Sequence, residues 1–211
     1  VRRQRQMCIR DRYKPQQEIN EKYYHSCKEA FVVIRMLFLR YLQQADQAVR
    51  NGGTSAGLCG REIRSKKVGI IGCGQIGFMT AKLFQAFGAE VYAYARHERE
   101  EVKAAGIAYK PLDDLLRECD IISLHTPNNK ETRGMISAEK IALMKKSAIF
   151  INCARGPIVD SKALAQALNE GRIAGAAVDV FDCEPPIPAE EPLLHCLLYT
   201  SPSPRDRSLS R

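Results

Sequence analysis

The 211-residue chain has no tryptophan, only four histidines, and no two cysteines at C-x-x-C spacing. That poverty in paired Cys and His argues against a zinc module, and eight cysteines without a paired pattern read as the reduced thiols of a cytosolic protein rather than a disulfide framework. Long hydrophobic runs are missing too. The longest, over 31–39, is interrupted by Arg35 and falls far short of the roughly 20 residues that span a bilayer. No secretory signal, internal repeat or low-complexity linker stands out.

Acidic charge is scarce as well, with 32 Lys and Arg against 24 Asp and Glu and a formal net charge of +8. The excess sits at the ends. M-C-I-R-D-R near the start can be encoded by ATGTGTATAAGAGACAG, and C-L-L-Y-T-S near the finish by a frame of the reverse complement of that same duplex. Both peptides resemble translated transposase-type sequencing adapters, so residues 1–12 and 196–211 are expected to be mobile scars outside the fold. Without them, eight arginines and two aspartates drop out, leaving 24 basic and 22 acidic residues and a net charge of +2. No charge argument then remains for a nucleic-acid or membrane partner. The remaining 183 residues are enough for one α/β core.

What is present begins with Val68 to Gly77, V-G-I-I-G-C-G-Q-I-G, where an apolar strand pattern enters a G-x-G-x-x-G turn and a helical pattern follows. A dinucleotide pyrophosphate needs that arrangement. Gly72 takes the tight turn, Gly74 lets the backbone approach phosphate, and Gly77 lets the helix lie on the strand with its first N–H groups, at Gln75 and Ile76, facing the anion. Around the turn, strand patterns at 67–71, 90–94, 107–109, 120–125, 148–152 and 174–178 alternate with helical ones at 78–87, 98–105, 112–117, 138–144 and 161–170. Such alternation predicts a doubly wound parallel α/β sheet of the Rossmann type, spanning 54–195. A long helix over 27–49, ended by Gly52-Gly53, makes 13–53 a crossover region.

Four blocks in order, V-G-I-I-G-C-G-Q-I-G, S-L-H-T-P, I-N-C-A-R-G-P-I-V-D and A-A-V-D-V-F-D-C-E-P-P, resemble the D-isomer-specific 2-hydroxyacid dehydrogenases, including phosphoglycerate and hydroxypyruvate/glyoxylate reductase-type members. The resemblance implies hydride transfer between a nicotinamide cofactor and a small 2-hydroxy or 2-oxo acid, in a protein that is a homodimer when intact. It assigns Arg155 to the substrate carboxylate, a role suited to its fork of donors. It assigns Glu184 to the carboxylate that pairs with a catalytic His and raises that imidazole's pKa for proton donation. Thr126, Pro127 and Cys153 are expected to line the cofactor groove, and Asp179 to accept a hydrogen bond from the nicotinamide carboxamide. His125 reads as a packed or cofactor-lining residue rather than a base.

Two departures from the family pattern matter. Its T-P-H histidine has no counterpart, Ser203-Pro204 standing in its place, and most of its substrate lobe is missing, so this chain is expected to be catalytically incomplete. Where an NAD site carries Asp or Glu after its second strand, this chain has Ala95, then Arg96, His97 and Arg99. Arg96 can pair with a 2′-phosphate, which favours NADP over NAD. The competing class is an NAD(P)-sensing dimerisation or corepressor-like module. The want of a basic face or partner-binding peptide favours the enzyme.

Overall fold

The computed structural model describes residues 42–54, 56–58, 60, 62–182, 187–196 and 199–200. The crossover helix expected over 27–49 lies outside them except for α1, Leu42–Arg50.

β1 (Lys67–Ile71), β4 (Ile121–Leu124), β5 (Ile149–Asn152) and β6 (Gly175–Val178) are almost wholly buried, as expected of strands covered on both faces. β2 (Glu90–Tyr94) alternates buried and partly open positions and is followed outward by the two-residue β3 (Ala108–Tyr109). All pairings are parallel, and the order is β3-β2-β1-β4-β5-β6-β7, where β7 is Tyr199–Thr200. Reading outward from β1 in both directions gives the doubly wound topology, so the chain reverses its winding between β1 and β4.

The strand period of two sorts the core into two halves. Ile71, Ile122, Leu124, Phe150 and Val178 join Leu115 and Leu116 of α4 (Leu112–Glu118), Ile141 of α5 (Ala138–Ala142), and Leu164 and Leu168 of α6 (Ser161–Asn169). Val68, Ile70, Val91, Ile121 and Ile151 join Phe78, Ala81 and Phe84 of α2 (Gln75–Ala86) and Val102 of α3 (Glu100–Ala104).

Described elements continue past the expected C-terminal boundary at His195. Cys196 is only 8% exposed and belongs to the first core half, and the backbone of Tyr199–Thr200 pairs with Ala176 and Ala177 of β6. A strand carrying exposed backbone groups at a sheet edge favours such an extra partner, which composition does not reveal. Residues 201–211 and 1–12 lie outside the described residues.

Candidate functional site

Because every strand is parallel, the loops after β1, β2, β4, β5 and β6 all leave the same edge of the sheet. At the first of them Gly72 has φ +92°, and a Cβ there would lie 2.7 Å from Thr126 Cγ2 and 2.8 Å from the His125 carbonyl carbon. Only glycine meets both conditions at low cost. A Cβ on Gly77 would lie 2.1 Å from the Gly72 carbonyl oxygen, so α2 packs directly on the turn. A Cβ on Gly74 would meet nothing within 4 Å. The turn is thus closed beneath and open above.

Gly74 is the N-cap of α2 and no side chain caps that end, while Gln75 is exposed and Ile76 half-buried in the first turn. The leading N–H groups lack intrahelical partners and favour an anion. Cys73 sits in the turn with 2% of its surface exposed, and burial pushes its thiol up to about 11. It stays neutral at physiological pH and adds no negative charge against phosphate.

After β4, His125 Nε2 is 2.8 Å from the Oγ of buried Ser123. Thr126 places its Oγ1 in a buried position with no hydrogen-bond partner. Pro127 is exposed, and its carbonyl accepts a 2.6 Å hydrogen bond from Oγ1 of buried Thr132. Asn129 Oδ1 accepts from the N–H groups of Glu131 and Thr132 at 2.9 and 3.0 Å, which shapes the loop and holds Glu131 at its tip. Neither Thr132 nor Glu131 stands out in the sequence as a site residue, although an Asn with a Thr three residues on is a turn signal.

After β2, Arg96 is paired with Glu131 rather than standing free for a ligand. Arg99 pairs with Glu101, and its Nη1 reaches to 3.5 Å of the Cys73 carbonyl oxygen. The glycine turn therefore has a guanidinium beside it that comes from Arg99.

After β5, Asn152, 1% exposed, uses both ends of its amide: Oδ1 accepts from Ala154 N at 3.0 Å and Nδ2 donates to the Arg155 carbonyl at 3.1 Å. That clasp sets the bend which presents Arg155, an exposed residue whose Nη1 donates to the Ala154 carbonyl at 2.6 Å. Gly156 then lets the bend meet the loop after β6, since a Cβ there would lie 2.0 Å from the Phe181 carbonyl carbon. Cys153 is half-buried at the head of the bend. Asp179, half-buried, donates its N–H to the Asn152 carbonyl at 2.9 Å. Glu184 lies outside the described residues, which resume at Ile187. Asn152 is legible in hindsight as a polar residue closing an apolar strand.

A dinucleotide fits these features: open space over Gly74, an uncapped helix N-terminus, and an orphaned hydroxyl at Thr126. Among the described residues no group of His, Cys, Asp and Glu could hold a metal. Residues 32–200 match the family described as "D-isomer specific 2-hydroxyacid dehydrogenase, NAD binding domain". The chain belongs to this family.

Within the family, glyoxylate reductase from Aeropyrum pernix is 46% identical over 138 residues, which are 65% of this chain and 41% of that protein. D-Lactate dehydrogenase from Aquifex aeolicus, solved with NAD and lactic acid, superposes with a TM-score of 0.72 at 37% identity over 75% of this chain and 48% of that one. An acyclic imino acid reductase solved with NADPH and D-Arg gives a TM-score of 0.74 at 29% identity, covering 82% of this chain and 55% of that one. The chain thus spans about half the length of the proteins it matches, and the matched part of this family is its NAD-binding domain. No helix among the described residues is long and apolar enough to cross a membrane.

Proposed function

We propose that this chain is the cofactor-binding part of a homodimeric oxidoreductase that moves a hydride between a nicotinamide dinucleotide, NADP(H) ahead of NAD(H), and C2 of a small 2-hydroxy or 2-oxo acid. The observation that carries this reading is the convergence of five loops at one sheet edge, with the phosphate turn and the Arg155 bend on either side of the β4 loop. The names of the relatives agree with a small acid. One is a glyoxylate reductase and another was solved with lactic acid.

Bound at the switch point, the dinucleotide supplies the hydride. Arg155 takes the substrate carboxylate with two parallel N–H donors and polarises the neighbouring carbonyl. Asn152 acts earlier, by holding the bend that aims Arg155. The first N–H groups of α2 and the Thr126 hydroxyl hold the cofactor, and Asp179 accepts from the carboxamide. Glu184 would pair with an imidazole and keep it charged, so that it could donate a proton to the substrate oxygen. Neither described histidine side chain is placed to donate that proton, since His97 is exposed on the β2 loop and His125 is engaged with Ser123. NADP is favoured because Ala95 rather than a carboxylate stands directly after β2, with Arg96 next to it.

Fluorescence titration with NADH and NADPH, followed by assays with glyoxylate, hydroxypyruvate and phosphohydroxypyruvate, tests the reading. Both cofactors should bind, NADPH more tightly, without turnover by this chain alone. Failure to bind either would end the proposal, and robust turnover would refute the need for a further histidine.

A further inference from the structure

The β2 loop is rich in arginine yet not positive. Arg96 pairs with Glu131, Arg99 with Glu101, and Lys103 with Glu98 and Glu100 at 2.8 and 3.0 Å. Three cations therefore stand among four carboxylates. A 2′-phosphate arriving there meets a guanidinium that already has its anion, and it must take Arg96 from Glu131 to gain a charge-assisted contact. NAD, which carries only a hydroxyl at that position, has no such exchange to make.

Glu131 differs from the other three carboxylates in where it comes from. Glu98, Glu100 and Glu101 lie on or beside α3, within a few residues of their partners. Glu131 is offered from the β4 loop across the mouth of the site, on a turn that Asn129 and the buried Thr132 hold in shape. The backbone of the turn is thereby fixed, and the Glu131 side chain reaches Arg96 from an exposed position on it. Both partners are more than half exposed, so the pair is weak enough for a ligand to break.

We propose that Glu131 is a specificity-determining residue, a resident counter-anion on Arg96 that lowers affinity for a 2′-phosphorylated dinucleotide and leaves affinity for the unphosphorylated one unchanged. This deepens the reading above and rests on its placement of the 2′-phosphate at Arg96. Because the contest is between two anions for one cation, the residue at 131 tunes the NADP/NAD ratio by its charge alone.

The test titrates NADPH and NADH into the full chain and its Glu131→Gln, Glu131→Lys and Arg96→Ala variants at low ionic strength, with thermal unfolding as the check on folding. Removing an exposed competing pair should tighten NADPH binding about two- to fivefold in Glu131→Gln, with NADH within experimental scatter of the parent. Glu131→Lys, which adds a cation, should go further in the same direction. Arg96→Ala should weaken NADPH roughly tenfold relative to NADH. If Arg96→Ala spares the NADPH preference, the placement of the phosphate itself is wrong. If Arg96→Ala acts selectively while both Glu131 variants leave NADPH unchanged, or shift both cofactors equally, Glu131 is only a surface partner and this inference is overturned.

Discussion

Thr126 shows how a residue can be set for a ligand at a cost to the folded chain. Its Oγ1 is buried and unpartnered, and such a hydroxyl costs on the order of 1–3 kcal/mol. The γ-methyl, meanwhile, packs against the Gly72 turn, so the side-chain volume is needed there. Thr126→Val keeps the volume and removes the orphan. It should leave stability unchanged or raise it by about 1 kcal/mol, and weaken NADH binding several-fold. Thermal unfolding beside NADH titration checks this, and a clear loss of stability would show that the hydroxyl already has a partner. Thr126, Arg155 and Asp179 were legible as candidates because each stands just beyond an apolar strand inside a family block. Asn152 gave a weaker signal, a polar residue closing an apolar strand, and its role in two hydrogen bonds to its own bend is one that no spacing rule reports.

Among the elements, β1 and β2 begin and end at the residues the pattern indicates, β1 because a strand buried on both faces reads as an unbroken hydrophobic run and β2 because Val91 and Ala93 alternate with more open positions. The 3-10 turn Gly156–Ile158 and the bridge between Ile136 and Val159 gave no such signal. The bridge rests on the Ile136 N–H donating to the Ile158 carbonyl and the Asp160 N–H donating to the Ile136 carbonyl, each at 3.0 Å, between segments more than twenty residues apart. At the opposite edge of the sheet, Asp120 fastens two strands: it accepts from the Lys67 N–H at 3.0 Å and from Lys145 Nζ at 2.9 Å. Burial alone would raise its pKa, but these two donors outweigh burial and hold the carboxyl below its ordinary value. A depressed carboxylate contributes stability above the unfolded-state pKa of about 3.9 and loses that contribution as pH falls through the folded-state value. Asp120→Asn should therefore cost roughly 1–2 kcal/mol at pH 7, allowing for partial solvent screening, and the gap to the parent should close in acid. Denaturant unfolding across pH 3 to 7 measures it. A gap that stays constant with pH would assign the effect to packing instead.

For the whole molecule, the C-terminal boundary is where chemistry in one dimension and packing in three disagree. A variant ending at Thr200 should unfold with the full chain. One ending at His195 exposes the outer edge of β6 and removes buried Cys196, whose Sγ lies 3.4 Å from the Pro192 carbonyl oxygen. That loss should amount to roughly 1–3 kcal/mol, a fall of several degrees in Tm for a domain of this size. Calorimetry on the two variants decides it. Equal melting temperatures would return the boundary to His195.

Strand and helix alternation, the glycine turn and the family blocks were all readable from local order, because burial on two faces and a phosphate-sized turn impose local residue patterns. Which loops meet could not be read that way. Arg96 looked like a free cation waiting for phosphate until the fold brought Glu131 to it from 35 residues away in sequence. Charge and hydrogen-bond partners across a site are set by where separate loops converge, and parallel strands send those loops to one edge regardless of their distance along the chain.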